Sequence, residues 1–293
     1  MSYPSYYRSY AKINLGLEIA GIREDGYHEI RTIFQTVRLF DTIAVEPSGV
    51  IEVVCDDPSI PQGDKNIAFK AAQALQNECS VRDGAKISIS KKIPSQGGMG
   101  GGSSNAAVAL IALNDLWKTA VPVERLSALG AKIGADVPFF FTGGTAYGSG
   151  IGEKILPLDD IDEMRVILAL PDFRISTPEA YRKTDNLLTT KGGANNILSF
   201  LKRKKELGSL TNDFELFLFP EYQILENIAS CLTGLGALKT GVTGSGSVIF
   251  GLFPLGMAIE EIIPSLIAKF RAVRFFATAT LGRVEYQGTL RIT

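Results

Sequence analysis

Residues 97–105 read GGMGGGSSN and lead directly into the apolar segment AAVALIAL at 106–113. Glycine allows the backbone to approach a ligand closely and to adopt positive φ angles. The segment at 106–113 predicts a buried helix, because it has no polar face. A helix N-terminus offers free N–H groups and a partial positive charge. The stretch therefore predicts an anion site, in which Ser103 or Ser104 can contact a phosphate-bound Mg²⁺.

This glycine stretch fits neither of two common nucleotide-binding loops. A Walker loop carries a lysine after its last glycine, and Ser103 stands at that position. A dinucleotide-binding fingerprint needs an acidic residue at the end of a second strand about 20 residues on, and the sequence has none there. The stretch alone leaves a flexible turn without a ligand as the alternative.

The composition describes an ordinary globular chain. Its 293 residues predict two domains or one large one. A net charge of −1 without a basic run argues against nucleic acid and a membrane surface as partners. Three scattered cysteines and an N-terminal segment without an apolar core predict a cytoplasmic protein. A single histidine excludes a multi-histidine metal site.

Strand and helix patterns alternate without the regular repeat of a doubly wound sheet, which favours a mixed α+β fold. Period-two alternation predicts strands at 11–20, 32–39, 42–45, 51–55, 86–93, 165–170 and 248–253. Helical patterns occupy 66–76, 106–113, 123–133, 196–202, 222–232 and 260–270. The Asp-Gly pair in 21–26 predicts a hairpin turn between the first two strands.

Two charged residues suggest chemistry near the glycine stretch. Asp136, within GADVP at 134–138, is either a turn residue or a carboxylate in a cleft. Lys12 shares the polar face of its predicted strand with Asn14, and by itself this indicates a solvated lysine. In phosphoryl transfer a carboxylate can accept the proton of the attacking hydroxyl, and a lysine can keep it ionised. Whether Lys12 and Asp136 meet is left open by the sequence.

Two further segments carry hydrogen-bond donors or aromatic rings. Tyr27 and the only histidine, His28, follow the predicted turn and can stack on and hydrogen-bond to a flat heterocycle. A lone histidine is more often structural than a ligand. The second small-residue loop, TGSGS at 243–247, either closes over a phosphate or forms a tight turn before a strand.

The segments at 11–15, 94–107 and 241–247 together resemble the three ordered motifs of the GHMP kinases, the galactokinase–homoserine–mevalonate–phosphomevalonate superfamily. DGYHE at 25–29, GADVP and NDFE at 212–215, with GSSNAA at 102–107, look like the branch that acts on a cytidylyl methylerythritol. The resemblance covers about 10–253. Gln96 departs from it, because the family usually has a small residue there, and the tail beyond 275 matches no motif.

The resemblance implies a two-domain GHMP kinase fold with the active site in the interdomain cleft. It implies a ribosomal protein S5 domain 2-like, ATP-binding domain at 1–155 and a ferredoxin-like domain on the substrate side at 156–293. The implied reaction is ATP-dependent phosphorylation of the substrate's 2-hydroxyl, giving the 2-phosphate and ADP, in non-mevalonate isoprenoid precursor biosynthesis. Mg²⁺ is the expected cofactor, and a monomer or weak homodimer is expected.

Site residues follow from the resemblance position by position. Asp136 matches the catalytic base and Lys12 its partner. Positions on the substrate side are Asn14, Tyr27, His28, Asp136, Thr177, Tyr181, Thr243, Gly244, Ser245 and Gly246. Among these, Tyr27 and His28 match the cytosine site and Tyr181 matches the opposing aromatic ring, so that Tyr27 and Tyr181 would sandwich the base. Positions on the ATP side are Asn66, Lys91, Gly97, Gly98, Gly100, Gly101, Gly102, Ser103, Ser104 and Asn105. No acidic residue is assigned to the metal, for which Ser103 or Ser104 is the candidate.

Two alternatives remain at this level. The first is another GHMP kinase, such as a homoserine or mevalonate kinase. Tyr27 and His28 argue against it, because those substrates contain no base on which the two side chains could stack. A protein of the same fold that binds without catalysis would not need both Lys12 and Asp136.

Overall fold

A computed structural model describes residues 3–95, 97–188, 196–202 and 206–292. Gln96, the departure noted in the glycine stretch, lies outside these residues. The strands are β1 (Ser5–Ile22), β2 (His28–Ser48), β3 (Ile51–Cys55), β4 (Gly84–Ser90), β5 (Thr145–Gly150), β6 (Lys154–Pro157), β7 (Arg165–Pro171), β8 (Lys239–Val242), β9 (Ile249–Phe253), β10 (Val273–Ala279) and β11 (Arg291–Ile292). The α-helices are α1 (Ile67–Cys79), α2 (Gly101–Leu116), α3 (Val123–Ala131), α4 (Phe139–Thr142), α5 (Thr177–Leu188), α6 (Asn196–Lys202), α7 (Glu215–Glu221), α8 (Gln223–Gly234), α9 (Ile259–Lys269) and α10 (Arg283–Thr289).

The first sheet is built around the long hairpin of β1 and β2. Its order is β11-β1-β2-β4-β3, and β5 pairs with β2 and β6 with β5. Only the β3–β4 pair among these is parallel. Ile22 pairs with His28, which confirms the predicted hairpin turn. The strands predicted at 32–39 and 42–45 form one strand, because pairing with β1 continues across a bulge at Tyr10/Ala11.

Helices α1 and α2 cover one face of this sheet. Helix α2 is buried on nearly every side through its first three turns, including Ala106, Ala109 and Leu110. These side chains pack in one cluster with Ile43 and Ile87 of the sheet. The predicted buried helix is therefore present, and the glycine stretch opens at its N-terminus.

The second sheet has the antiparallel order β10-β7-β9-β8. Helices α8 and α9 pack on it through a core that includes Ile228, Leu232 and Leu266. A separate cluster joins the two sheets, with Ile13 of β1 and Leu168 of β7 among its members. Both sheets with their helices confirm the mixed α+β class.

The end of the chain returns to the first sheet. Strand β11 pairs with β1, and Tyr286 of α10 is fully buried against Tyr10 and donates to the backbone oxygen of Phe140. Strand β6, at 154–157, also belongs to the first sheet. The domain boundary drawn at 155/156 stays a prediction, and residues from both sides of it contribute strands to this sheet.

The sequence patterns predicted neither the helices α4, α5, α7 and α10 nor the strands β5, β6, β8, β10 and β11. Of the residues that the structure describes, none forms a helix that is long and apolar enough to cross a bilayer.

Candidate active site

Lys12 and Asp136 meet in the structure. Lys12 lies on β1, is only 3% exposed, and its Nζ is 3.3 Å from Asp136 Oδ2. The same ammonium donates to Asn14 Oδ1 at 2.5 Å and lies over the ring of Phe34. The interpretation of Lys12 as a solvated strand lysine is therefore wrong, because both faces of β1 are covered at this point.

The carboxylate of Asp136 remains accessible. Asp136 lies in the turn between α3 and α4, and its side chain is 31% exposed. Val137 before α4 and Phe139 and Phe140 within it are fully buried, so the core anchors the turn that presents the carboxylate. An accessible carboxylate beside a buried ammonium is a suitable acceptor for a hydroxyl proton.

Asn14 is oriented by a short hydrogen-bond chain. Its Nδ2 donates to Thr32 Oγ1 at 2.7 Å, and that hydroxyl donates to Gly16 O at 2.7 Å. The amide oxygen of Asn14 therefore faces Lys12. The buried ammonium is thus held by an amide oxygen and a carboxylate at once.

The glycine stretch packs closely on this pair. Lys12 N donates to Met99 O at 3.0 Å, which ties the stretch to β1. Gly98 and Gly100 have φ angles of 75° and 68°, which side chains rarely adopt. A Cβ on Gly100 would lie 2.9 Å from the Phe140 ring and 3.1 Å from Lys12 Cγ. Glycine is required here so that the loop can approach the lysine.

A cavity of about 380 Å³ opens over the N-terminus of α2. This volume is within the range of about 300–1,000 Å³ that ligand pockets occupy. The expected ATP-side residues that line it are Asn66, Lys91, Gly97, Gly98, Gly100, Gly101, Gly102, Ser103 and Asn105. Asn66 also caps α1 by accepting from Ala68 N at 2.9 Å. Lys91 forms an ion pair with the buried Asp41 at the edge of the cavity.

Ser104 does not line this cavity. Its hydroxyl accepts from Ser9 Oγ at 2.7 Å and is fully buried. Asn105 is also turned inward, because its Nδ2 donates to Ser9 Oγ at 2.8 Å and to Asp41 Oδ2 at 2.9 Å. Of the two serines proposed for the metal, only Ser103 faces the space where phosphates would lie.

The second small-residue loop, at 243–247, packs directly against the glycine stretch. Thr243 Oγ1 donates to Gly98 O at 3.1 Å and accepts from Asn14 N at 3.1 Å. A Cβ on Gly98 would lie only 2.1 Å from Thr243 O, so the two backbones are in contact. Ser245 Oγ is 2.9 Å from Thr177 Oγ1 at the start of α5. The structure thus joins three of the expected segments.

The rings expected to hold a base lie together, in a different pairing from the expected one. His28 and Tyr181 are stacked with centroids 4.5 Å apart, and Tyr181 meets Phe214 edge-on. Tyr27, expected to face Tyr181 across a base, is 60% exposed. Burial, followed by the nearby charge of Asp136, raises the pKa of Tyr181 to about 12. Tyr181 therefore lies within electrostatic range of the Asp136 carboxylate.

Sequence reasoning assigned no role to residues 212–215. Asn212 Nδ2 donates to Val242 O and Gly244 O, and Glu215 Oε1 accepts from Val242 N. Burial raises the pKa of Glu215, and the neighbouring Lys239 ammonium partly offsets this. Asp41 was also missed. The resemblance pointed to 212–215, but only the folded chain shows what these side chains hold.

A Mg²⁺ ion fits the site only with help from a substrate. Among the described residues, no group of three His, Cys, Asp or Glu side chains is arranged to hold a metal. Mg²⁺ bound to nucleotides needs few protein ligands, because phosphates and water supply the rest. The hydroxyl of the half-buried Ser103, which lines the cavity over the α2 N-terminus, is compatible with that arrangement.

Comparisons with known proteins identify the class to which the chain belongs. Residues 66–144 match the family described as GHMP kinases N terminal domain, and residues 194–272 match GHMP kinases C terminal. One chain thus contains both domains that define the GHMP kinase class.

Similar proteins of known name identify the family within this class. A 4-diphosphocytidyl-2-C-methyl-D-erythritol kinase of Thermoanaerobacter pseudethanolicus is 37% identical over 284 residues, 96% of this chain and 98% of the relative. That of Clostridium perfringens is 35% identical over 281 residues, 94% of this chain and 98% of the relative. A crystal structure of 4-(cytidine 5'-diphospho)-2C-methyl-D-erythritol kinase is 32% identical with a TM-score of 0.75, covering 94% of this chain and 99% of that one. This chain belongs to the 4-diphosphocytidyl-2-C-methyl-D-erythritol kinase family.

Proposed function

We propose that the chain transfers the γ-phosphoryl group of ATP to the 2-hydroxyl of 4-diphosphocytidyl-2-C-methyl-D-erythritol, giving the 2-phosphate and ADP. The reaction belongs to the non-mevalonate route to isoprenoid precursors. The observation that carries the proposal is the Lys12–Asp136 pair at 3.3 Å, placed beside the glycine stretch. Family membership supplies the identity of the acceptor.

Asp136 accepts the proton of the acceptor hydroxyl as it attacks the γ-phosphorus. Lys12 stands 3.3 Å from that carboxylate and counters the negative charge that spreads over the transferred group. Asn14 and Thr32 fix the ammonium, so its position is set before substrate arrives. Such preorganised charge costs no rearrangement at the moment of transfer.

The N-terminus of α2 and the backbone of the glycine stretch bind the phosphates of ATP. Their free N–H groups and the helix dipole favour anionic oxygens. Ser103 is the hydroxyl that would contact a nucleotide-bound Mg²⁺, which would supply positive charge to offset that of the phosphates. Thr243 keeps the second loop against Gly98 and so closes the phosphate side of the site.

The cytosine is recognised by the ring cluster of Tyr27, His28 and Tyr181. Aromatic faces stack on a base, and an imidazole can hydrogen-bond to its edge. The stacked His28 and Tyr181 are 4.5 Å apart, too close for a base between them, so the base binds beside this pair or separates it. Tyr27 is exposed and free to cover the other face.

We place the reaction in the cytoplasm, in a monomer or weak homodimer with an ATP-binding domain at 1–155 and a substrate-side domain at 156–293. The cysteines Cys55, Cys79 and Cys231, all in the described part of the chain, are free thiols. Free thiols are typical of a reducing compartment.

The test compares three acceptors with ATP and Mg²⁺: the cytidylyl methylerythritol substrate, mevalonate and homoserine. Phosphorus NMR of the product should show phosphate on the 2-hydroxyl of the first and none on the others. Asp136→Asn should lower kcat by about 10²–10⁴-fold, since the variant cannot accept the proton. The control is Asp83→Asn, the same substitution at an exposed aspartate. Turnover of mevalonate or homoserine alone, or a wild-type rate in Asp136→Asn, would overturn the proposal.

A further inference from the structure

Residues 211–213 run beside β1, the strand that carries Lys12 and Asn14. Leu17 N donates to Thr211 O at 2.9 Å, and Asp213 N donates to Leu17 O at 2.9 Å. Asp213 Oδ2 also accepts from Ile19 N at 2.7 Å. The segment is therefore fixed to the strand that presents the catalytic lysine.

The side chain of Asn212 bridges from this segment to the loop at 243–247. Its Oδ1 accepts from Phe214 N at 3.1 Å, and a backbone N–H can only donate, so the orientation of the amide is fixed. Its Nδ2 then donates to Val242 O at 2.9 Å and to Gly244 O at 2.8 Å. Asn212 is 3% exposed, and both of its N–H bonds are used on the residues that flank Thr243.

Glu215 adds a third bond to the same loop, because its Oε1 accepts from Val242 N at 2.9 Å. The loop needs such support, since Gly244 and Gly246 have positive φ angles of 55° and 87° and glycine restrains the backbone little. From Thr243 the connection continues to Gly98 O and to the backbone of Asn14. Hydrogen bonds from Asn212 to the two residues that flank Thr243, and from Thr243 to Gly98 and Asn14, thus connect Asn212 through the loop backbone to both the glycine stretch and β1.

We propose that Asn212 is a positioning residue for phosphoryl transfer, acting through Thr243 to fix the spacing between the glycine stretch and the Lys12–Asp136 pair. The proposal rests on the proposed function and extends it to a buried side chain outside the described cavity. Loss of its two N–H donors leaves the carbonyls of Val242 and Gly244 without their side-chain donor and lets the loop move. A displacement of about 1 Å between reacting groups can lower the rate about 100-fold.

Three variants test the mechanism by the change in kcat. Asn212→Ala should lower kcat about 10- to 100-fold, with the KM of the cytidylyl substrate changed much less. Thr243→Val removes the hydroxyl at nearly constant shape and should lower kcat similarly. If Asn212 acts through Thr243, the double variant should have a kcat close to that of the worse single variant, because the two changes remove one interaction chain.

Asn212→Asp adds a pH signature. The new carboxyl can still accept from Phe214 N, but when ionised it opposes the carbonyls of Val242 and Gly244. When protonated it can donate to one of them again. The ratio of its kcat to that of the wild type should therefore rise as pH falls. A residue with a merely structural role would change the unfolding midpoint without this recovery of kcat.

Two controls separate positioning from general loss of stability. Asp213→Asn changes the same segment but keeps an acceptor for Ile19 N, and its kcat should stay near wild type. Leu225→Ala removes buried contacts of α8 without removing a hydrogen bond of the loop, and it serves as the reference for a loss of thermal stability. The proposal is overturned if Asn212→Ala retains the kcat of Leu225→Ala, or if its effect and that of Thr243→Val simply multiply.

A binding measurement tests the role of Asn212 without depending on the identity of the phosphoryl acceptor. Calorimetry with a non-hydrolysable ATP analogue should show affinity weakened several-fold to about tenfold in Asn212→Ala and unchanged in Leu225→Ala. If the wild type fails to phosphorylate the cytidylyl substrate, the proposed function falls while this arm still tests Asn212. Equal affinities in wild type and Asn212→Ala, with equal kcat where turnover occurs, would reject the role of Asn212.

Discussion

Replacing Gly98 by alanine should separate the two loops that form the phosphate side of the site. The added Cβ would lie 2.1 Å from Thr243 O, whereas Cβ atoms essentially never come closer than 3.0 Å to such atoms. The obstructing atom belongs to the backbone, so the loops must move apart by about 1 Å. The φ angle of 75° adds strain of about 1 kcal/mol for a residue with a side chain.

Both effects give measurable magnitudes. A 1 Å displacement predicts a kcat about 100-fold below wild type in a steady-state phosphorylation assay. The strain and the forced contact predict a loss of about 1–3 kcal/mol in the free energy of unfolding, measured by urea denaturation. The KM of ATP should rise, since Gly98 lines the cavity over α2.

Gly102→Ala is the matched control for stability. It adds the same methyl group to the same glycine stretch, but its Cβ would lie 3.6 Å from Ile67 Cγ2, an ordinary contact. Gly102 is within α2, where alanine is favoured over glycine by up to about 1 kcal/mol. This variant should be at least as stable as the wild type. The reasoning is refuted if Gly98→Ala keeps kcat and stability near wild-type values.

Three further changes test other parts of the chain. Tyr27→Ala should weaken binding of the cytidylyl substrate by about 1–3 kcal/mol with little effect on ATP binding. Equal shifts in both Michaelis constants would contradict a role of Tyr27 in cytosine binding. Tyr286→Phe removes the bond to Phe140 O and should lower unfolding stability by about 1–3 kcal/mol in urea, while the exposed Val284→Ala should have no effect. Burial raises the pKa of Asp213 above 3.8, so the unfolded chain loses this proton at a lower pH than the folded chain does. The wild type should therefore lose stability relative to Asp213→Asn as pH rises from 3.8, and parallel pH curves would contradict this.

The tail illustrates a limit of sequence reasoning. Its pattern matches no motif, yet Tyr286 fills the space beside Gly143, where a Cβ would lie 2.1 Å from the ring. The tail thereby supports α4, which follows the turn carrying Asp136. The packing partner is distant along the chain, and no local periodicity reports such a partner.

The glycine stretch, the apolar helix after it and the hairpin turn were determined by the sequence, because each depends on neighbouring residues. Positive φ, a free helix N-terminus and period-two alternation are local properties of the backbone. The resemblance to GHMP kinases added the order of the motifs, and this predicted the fold and the reaction together.

Only the tertiary structure decided how the distant parts meet. The contact of Lys12 with Asp136, the choice of Ser103 over Ser104, the pairing of His28 with Tyr181 and the bridge from Asn212 all join segments far apart in sequence. Such contacts are set by the packing of two sheets and their helices, which is a property of the whole core. The sequence therefore named the groups that carry the chemistry, and the fold determined which of them can act together.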